Sequence, residues 1–214
     1  MKMTIIYDNL SFKEGIKPDW GFSALIEISN RSILFDTGAS ASILQSNMES
    51  LGIDPKNITD VFISHSHFDH TGGLTFVLYE NPKVKLWVPY VFPNVYGFDN
   101  VIKVKDPIKL YDGIYSTGTI DHIEHSLCIE LKKGILVVVG CAHPPISKIL
   151  KRASSFGKVW GIIGGMHSNR PEEMKGKGLE FIAPLHCSQY RSEIKEVFSD
   201  VYLDAGAGSV IEFD

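Results

Sequence analysis

The apolar residues of this chain fall in short runs separated by turns rich in glycine, proline and asparagine, a pattern that predicts β-strands. In the first half we predict helices over 40–51 and after Gly73, and strands over 3–7, 22–28, 32–36, 61–64 and 84–88. In the second half we predict helices over 145–156 and 189–198, and strands over 114–116, 126–132, 135–139, 159–163, 180–184, 201–203 and 209–213. Strands come first and helices after in both halves, which fits two packed sheets flanked by helices; a simple doubly wound sheet is the competing architecture.

Residues 89–112 interrupt this pattern with several prolines, glycines and aromatic side chains. We interpret them as an excursion that lines a pocket rather than as a second domain. No low-complexity tract or linker divides the chain, so we expect one domain over residues 1–214.

The composition, 44% hydrophobic and 21% charged, is typical of soluble globular proteins. A net charge of −4 gives no basis for general nucleic-acid or membrane-surface binding, and no apolar run is long enough to cross a bilayer. No signal peptide is evident at the start, and three cysteines argue against a disulfide framework. We therefore expect a cytoplasmic protein that acts on a small molecule; the sequence does not indicate its oligomeric state.

One segment, His65-Ser66-His67-Phe68-Asp69-His70, concentrates metal-binding side chains directly after a predicted strand. Imidazole and carboxylate together suit zinc, iron or manganese better than calcium or magnesium. In an extended chain residues i and i+2 share a face, so His65 and His67 can chelate one ion. If a helix begins next, as Gly72-Gly73 allows, Asp69 and His70 can turn towards a second ion. A polar surface loop is the alternative, but so many ligands in one segment favour a metal site.

Four histidines, each just after a predicted buried strand, extend this prediction: His70, His143, His167 and His186. Open α/β sheets place their sites at the carboxyl edge of the strands. If both sheets present the same edge, these histidines converge on one rim.

Five motifs occur in a fixed order: Asp36-Thr37-Gly38, the segment His65 to His70, Gly140-Cys141-Ala142-His143, Gly164-Gly165-Met166-His167 and Pro184-Leu185-His186-Cys187. Together they resemble the metallo-β-lactamase superfamily. Within it, the chain is most similar to a branch of small metal-dependent hydrolases related to the dihydropterin phosphate synthase of methanopterin biosynthesis. The resemblance implies an α/β fold, an αββα sandwich of two mixed sheets flanked by helices, with a dinuclear site at the edge between the sheets.

The resemblance also implies a ligand set. The first metal ion would take His65, His67 and His143, and the second would take Asp69, His70 and His186. We expect two divalent ions, zinc in preference to iron or manganese. Asp36 resembles the aspartate that orients a ligating imidazole through its other ring nitrogen, and it is also placed to cap the following helix.

Some positions depart from the pattern of the branch. Cys141 stands where most of the superfamily has a metal-bridging aspartate, so it either ligates as a thiolate or packs as a small hydrophobe. Without a bridging carboxylate, the second metal ion is expected to bind more weakly. Trp20, Pro144-Pro145 and Ser188-Gln189 also differ, and for this reason the substrate of the branch is not carried over.

The ligand set predicts a metal-dependent hydrolase in which a hydroxide at the dinuclear site attacks a small, anionic ester or phosphoester. Asp69 would orient that hydroxide, and His167 would contact substrate or protonate the leaving group. For His167 a polar loop histidine is an equal alternative. Two other functions stay open: redox or oxygen chemistry at a di-iron site, and a non-catalytic metal-binding scaffold.

Several further side chains are available around such a site, although for any single one of them we favour packing or exposure to solvent. The aromatic candidates for lining a pocket are Trp20, Phe92, Tyr96, Phe98 and Tyr190. The candidate anion-binding residues are Arg170 and Arg191. His122 and His125 flank Glu124 and could form an accessory site, but we expect them to be exposed.

Overall fold

The computed structural model describes residues 1–214 and contains thirteen strands and five α-helices. The strands are β1 (Lys2–Tyr7), β2 (Ser23–Ile28), β3 (Arg31–Phe35), β4 (Asp60–Phe62), β5 (Lys85–Pro89), β6 (Val101–Val104), β7 (Ile108–Tyr111), β8 (Ile114–Ser116), β9 (Leu127–Leu131), β10 (Gly134–Val139), β11 (Val159–Gly165), β12 (Phe181–Leu185) and β13 (Val210–Glu212). The helices are α1 (Ala41–Ser50), α2 (Phe68–Thr71), α3 (Leu74–Glu80), α4 (Ile146–Ala153) and α5 (Arg191–Val197).

The strands form two mixed sheets. The first has seven strands in the order β13-β1-β2-β3-β4-β5-β6, and the second has six in the order β12-β11-β10-β9-β8-β7. Strands β3 to β6 run parallel to one another, as do β10 to β12. Parallel neighbours end at the same edge, so the loops that follow them are brought together.

The two sheets pack face to face and are covered by helices on their outer faces. Strand β10 shows how the sequence specifies this arrangement. Its Leu136 and Val138 belong to the core between the sheets, whereas Val137 and Val139 pack on the outer side with Ile149 of α4. A strand buried on both faces reads as a continuous apolar run. The layers are therefore αββα, and the predicted fold class is confirmed.

The interpretation of residues 89–112 as an excursion missed two strands. Strand β6 extends the first sheet beside β5, and β7 pairs with β8 at the edge of the second. Both are edge strands; β7 is largely exposed and follows Pro107, so its apolar signal is weak. The strand predicted over 201–203 is reduced to a single bridge between Ile182 and Tyr202.

No helix of the structure is both long enough and apolar enough to cross a bilayer.

His125 does not lie at the surface, as we had expected, but in the core. Its ring stacks on Phe62 at a centroid distance of 4.0 Å. Its Nε2 donates to the Ile63 carbonyl at 2.9 Å, and its Nδ1 lies 3.0 Å from the Ser116 hydroxyl. Both ring nitrogens are thus satisfied by partners that are remote in sequence, which explains the wrong prediction. His122 is exposed, as expected.

The burial of His125 has a consequence for stability. Burial lowers the pKa of His125 from 6.5 to about 3. Between these pH values the unfolded chain binds a proton that the folded protein does not, so stability falls as the pH falls. At pH 4.5 this one group should cost the metal-free protein about 2–3 kcal/mol relative to pH 7. His125→Gln should therefore flatten the pH dependence in urea unfolding; an equal pH dependence in variant and parent would contradict the assignment.

Candidate metal centre

The predicted ligands lie at one edge of the two sheets. His65 and His67 follow β4, and Asp69 and His70 lie on α2. His143 and His186 follow β10 and β12 of the second sheet. The convergence predicted from the strand ends is therefore present in the structure.

Three imidazoles form the first subsite: His65, His67 and His143, whose ligand atoms lie within 4.8 Å of one another. The Nε2 atoms of His65 and His143 are 3.2 Å apart. The ring of His67 lies 4.6 Å from that of His65 and 4.7 Å from that of His143, measured between centroids.

A mixed donor set forms the second subsite: Asp69, His70, Cys141 and His186. Oδ2 of Asp69 lies 3.1 Å from Nε2 of His186 and 3.7 Å from Nε2 of His70. The Cys141 sulfur lies 3.1 Å from His70 Nε2. Because the rings of His65 and His70 are only 4.2 Å apart, the two subsites are adjacent.

These donors fit divalent metal ions. Ligand atoms about 2.1 Å from a tetrahedral ion lie roughly 3.4 Å from one another. The shortest separations within the subsites, 3.1 to 3.7 Å, bracket that value. Nitrogen, carboxylate and sulfur donors suit zinc or iron better than magnesium or calcium.

The charge states also suit metal binding. Burial lowers the pKa of His65, and burial together with the neighbouring imidazoles lowers that of His143 to about 4, so both rings are neutral at pH 7. Burial opposes ionisation of Asp69, but the hydrogen bond from His186 and the charge of His70 lower its pKa. The site therefore offers free imidazole lone pairs beside a carboxylate.

Asp36 orients the imidazole of His70. This buried residue follows β3 with a left-handed backbone, at φ 53°. Oδ2 of Asp36 lies 2.7 Å from Nδ1 of His70. Burial opposes protonation of His70, but the neighbouring Asp36 carboxylate raises the pKa of the imidazole. A carboxylate only accepts hydrogen bonds, so His70 holds its proton on Nδ1 and presents the lone pair of Nε2 to the second subsite.

Ser64 extends this control to the first subsite. The Ser64 hydroxyl donates to Asp36 Oδ2 at 2.7 Å and lies 2.9 Å from Nδ1 of His65. Having donated its only proton, it accepts from His65, whose Nε2 then faces the first subsite. A Cβ at Gly140 would lie 2.0 Å from the Ser64 oxygen, so this network requires glycine there. The contacts support the orienting role predicted for Asp36.

Glu124, which the sequence analysis did not select, holds the loop that carries Cys141 and His143. This fully buried carboxylate accepts the backbone N–H groups of residues 140, 141 and 142 on Oε1 at 3.0–3.1 Å, and that of His143 on Oε2 at 2.9 Å. The only sequence signal was an acidic residue next to a buried strand. Its four partners lie in a distant loop, which the sequence does not reveal.

Two residues after β1 position His186. Asp8 accepts the backbone N–H of His186 at 2.8 Å, and Asn9 Oδ1 lies 2.9 Å from its Nδ1. Burial raises the pKa of Asp8 to about 6. Left-handed backbone at His186, and also at Ala142 and His167, indicates strain concentrated at the strand ends, as is common at functional sites.

Two other predicted residues lie beside the subsites. The His167 ring is 4.9 Å from that of His143, but His167 belongs to neither ligand group. Trp20, 52% exposed, donates its indole N–H to Oδ2 of Asp69 at 2.9 Å and lies 5.0 Å from the His186 ring. Trp20 therefore forms a wall of the second subsite.

An open, polar cleft of about 490 Å³ begins at the first subsite; it is lined by His143, Pro145, Ser168, Asn169, Arg170, Glu172 and Glu173. The guanidinium of Arg170 lies 4.3 Å above the ring of Tyr190. The position of Arg170 in the lining of the cleft agrees with an anion-binding role.

The structure places the other pocket candidates elsewhere. Phe92 belongs to the core beneath the helices, and Phe98 packs against it. Tyr96 is exposed. Arg191 donates to the Ala205 carbonyl at 2.7 Å and pairs with Asp204, so its guanidinium is engaged within the fold rather than available to bind an anion.

Comparison with known proteins agrees with this geometry. The family model of the metallo-beta-lactamase superfamily matches residues 18–153. The chain belongs to this superfamily, as its motifs had predicted.

Individual relatives refine this result. A Methanocaldococcus jannaschii protein, the 7,8-dihydropterin-6-methyl-4-(beta-D-ribofuranosyl)-aminobenzene-5'-phosphate synthase, is 26% identical, covering 98% of this chain and 95% of its own. The structure of Tm1679, a metal-dependent hydrolase of the beta-lactamase superfamily, matches over 100% of both chains with a TM-score of 0.81 and 22% identity. Human tRNase Z, short form, also matches over 100% of both chains, with a TM-score of 0.66 and 14% identity. The two structural matches show a shared fold.

The hydrogen bonds of Glu124 predict the effect of Glu124→Gln. The amide nitrogen would face a backbone N–H, so at least one buried donor loses its acceptor and the loop carrying His143 loosens. We expect the free energy of unfolding to fall by about 2–4 kcal/mol and zinc affinity at the first subsite to fall about tenfold. Urea unfolding and zinc competition titrations measure both, with the exposed Glu14→Gln as control. Unchanged zinc affinity would contradict this role.

Asp36→Asn tests the orientation of His70. The new amide N–H₂ would point at Nδ1 and favour the ring tautomer that carries its proton on Nε2, towards the metal. We expect zinc affinity at the second subsite to fall about 10- to 100-fold. Titration of zinc against a chromogenic chelator measures this, with the exposed Asp99→Asn as control. An equal zinc affinity in Asp36→Asn and in the Asp99→Asn control would show that Asp36 does not act through His70.

Proposed function

We propose that this protein is a dinuclear metal-dependent hydrolase that acts on a small, anionic ester or phosphoester. The observation that supports it most is the adjacency of two subsites of different composition, with the rings of His65 and His70 4.2 Å apart. Adjacent ions are typical of enzymes that hydrolyse such bonds. We propose two zinc ions as the resident metals, held by His65, His67 and His143 in the first subsite and by Asp69, His70 and His186 in the second, where the Cys141 sulfur would be a fourth donor.

The two metal ions, when bound, supply Lewis-acid chemistry and make water a nucleophile at neutral pH. The residues of the chain position the reactants. Asp69 accepts a hydrogen bond from the Trp20 indole N–H, and we propose that its carboxylate orients the attacking water. His167, beside His143 and half-buried, is placed to donate a proton to the leaving oxygen.

The cleft supports an anionic substrate. Arg170 supplies the one guanidinium of a cleft that also contains the carboxylates of Glu172 and Glu173, so the anionic group is expected to bind next to Arg170. The methanogen relative is named for a product that carries a 5'-phosphate, which agrees with a phosphate-bearing ligand. Its name also makes a synthase the second candidate function, in which the same site would join such a phosphate-bearing molecule to another substrate.

His67→Ala tests the proposal because His67 is an exposed ligand, with no role in the core. The variant should stay folded, lose one of two bound zinc ions and lose at least about 100-fold in hydrolysis of generic phosphodiesters or lactones. Metal analysis and steady-state kinetics measure these effects, and His122→Ala serves as an exposed control. Two bound zinc ions in His67→Ala, or no hydrolysis by parent protein loaded with zinc, manganese or iron, would contradict the proposal.

A further inference from the structure

Two cysteines from different strands meet beside the second subsite. Cys141 follows β10 and Cys187 follows β12, and their sulfur atoms are 3.3 Å apart. Strand β11 lies between those strands and ends at Gly165. A Cβ at Gly165 would lie 2.9 Å from the Cys187 sulfur. Because Gly165 has no side chain, there is space for the two sulfur atoms to approach each other.

The Cys141 sulfur faces two competing partners. On one side it lies 3.1 Å from Nε2 of His70, among the donors of the second subsite. On the other side it faces Cys187. A thiolate binds metal ions strongly, whereas a sulfur bonded to another sulfur carries no negative charge and is a poor ligand. The same atom cannot serve both partners fully.

We propose that Cys141 and Cys187 are a site of reversible oxidation whose disulfide excludes metal from the second subsite. This inference rests on the proposed metal centre. Zinc held at the second subsite would engage the Cys141 sulfur and so protect the pair from oxidation. Loss of that zinc frees Cys141 to bond with Cys187.

Hydrogen peroxide is the proposed oxidant, because it is small enough to reach a nearly buried pair of thiols. Cys187, 9% exposed against 3% for Cys141, attacks first. Its sulfur displaces one water from the peroxide and becomes a sulfenic acid. The Cys141 thiol then attacks that sulfur and releases a second water, which leaves the disulfide. Two thiols are oxidised by two electrons, and one peroxide is reduced to two waters.

The geometry requires little movement for this reaction. The sulfurs must approach from 3.3 Å to a bond length of about 2.05 Å. A reversible disulfide also agrees with a cytoplasmic protein, where structural disulfides are rare and redox-active pairs are not. Cys128 provides an internal control, since it is fully buried on β9 in the core beneath α4.

The test follows the thiol content and the zinc content of the protein in hydrogen peroxide. Metal-free protein should fall from three free thiols to one, with peptide mapping showing a Cys141–Cys187 link. With free zinc at about 100 times the dissociation constant, roughly 1% of sites are vacant, so oxidation should slow about 100-fold. Oxidised protein should bind one zinc ion where reduced protein binds two. Reduction by thioredoxin or another dithiol should restore binding of the second zinc ion.

Cys187→Ser should keep two zinc ions and form no intramolecular disulfide, whereas Cys128→Ser should behave like the parent. Equal oxidation rates with and without zinc would overturn the inference, as would a linked protein that still binds two zinc ions tightly. The wild-type peptide map decides whether the link forms even if Cys187→Ser does not fold. Because no turnover is measured, absence of hydrolase activity leaves these results unaffected.

Discussion

The geometry of the metal centre depends on one buried carboxylate. Asp36 contacts His70 directly and His65 through Ser64, so a single side chain sets the orientation of one imidazole in each subsite. Its left-handed backbone turns the end of β3 towards these partners, and Gly140 leaves room for them. The burial of the Asp36 carboxyl group is compensated by hydrogen bonds from the Ser64 backbone and hydroxyl and from His70.

The ligands that follow strands of the second sheet are positioned mainly through backbone hydrogen bonds, with one side-chain contact to the His186 ring. Glu124 gathers four consecutive N–H groups, and Asp8 and Asn9 fix the turn at His186. These contacts hold loops whose backbone is strained, so the ligands keep their positions before any metal binds.

The sequence reveals local chemistry well and long-range contacts poorly. The cluster from His65 to His70 follows from spacing, and two sheets flanked by helices follow from apolar periodicity, whereas the αββα order was implied by the family resemblance. Glu124 and Asn9 could not be selected, because their partners are more than ten residues away and single acidic or amide residues carry no motif. His125 was placed at the surface for the same reason: its polarity is visible in the sequence, but its buried partners are not. The single domain and the cytoplasmic location stay predictions.

The most direct test of the two-subsite account is anomalous diffraction at the zinc edge from crystals grown with excess zinc. The account predicts two peaks about 3.5–4 Å apart, one among His65, His67 and His143 and one among Asp69, His70, Cys141 and His186. A single peak, or two peaks outside these residues, would contradict it.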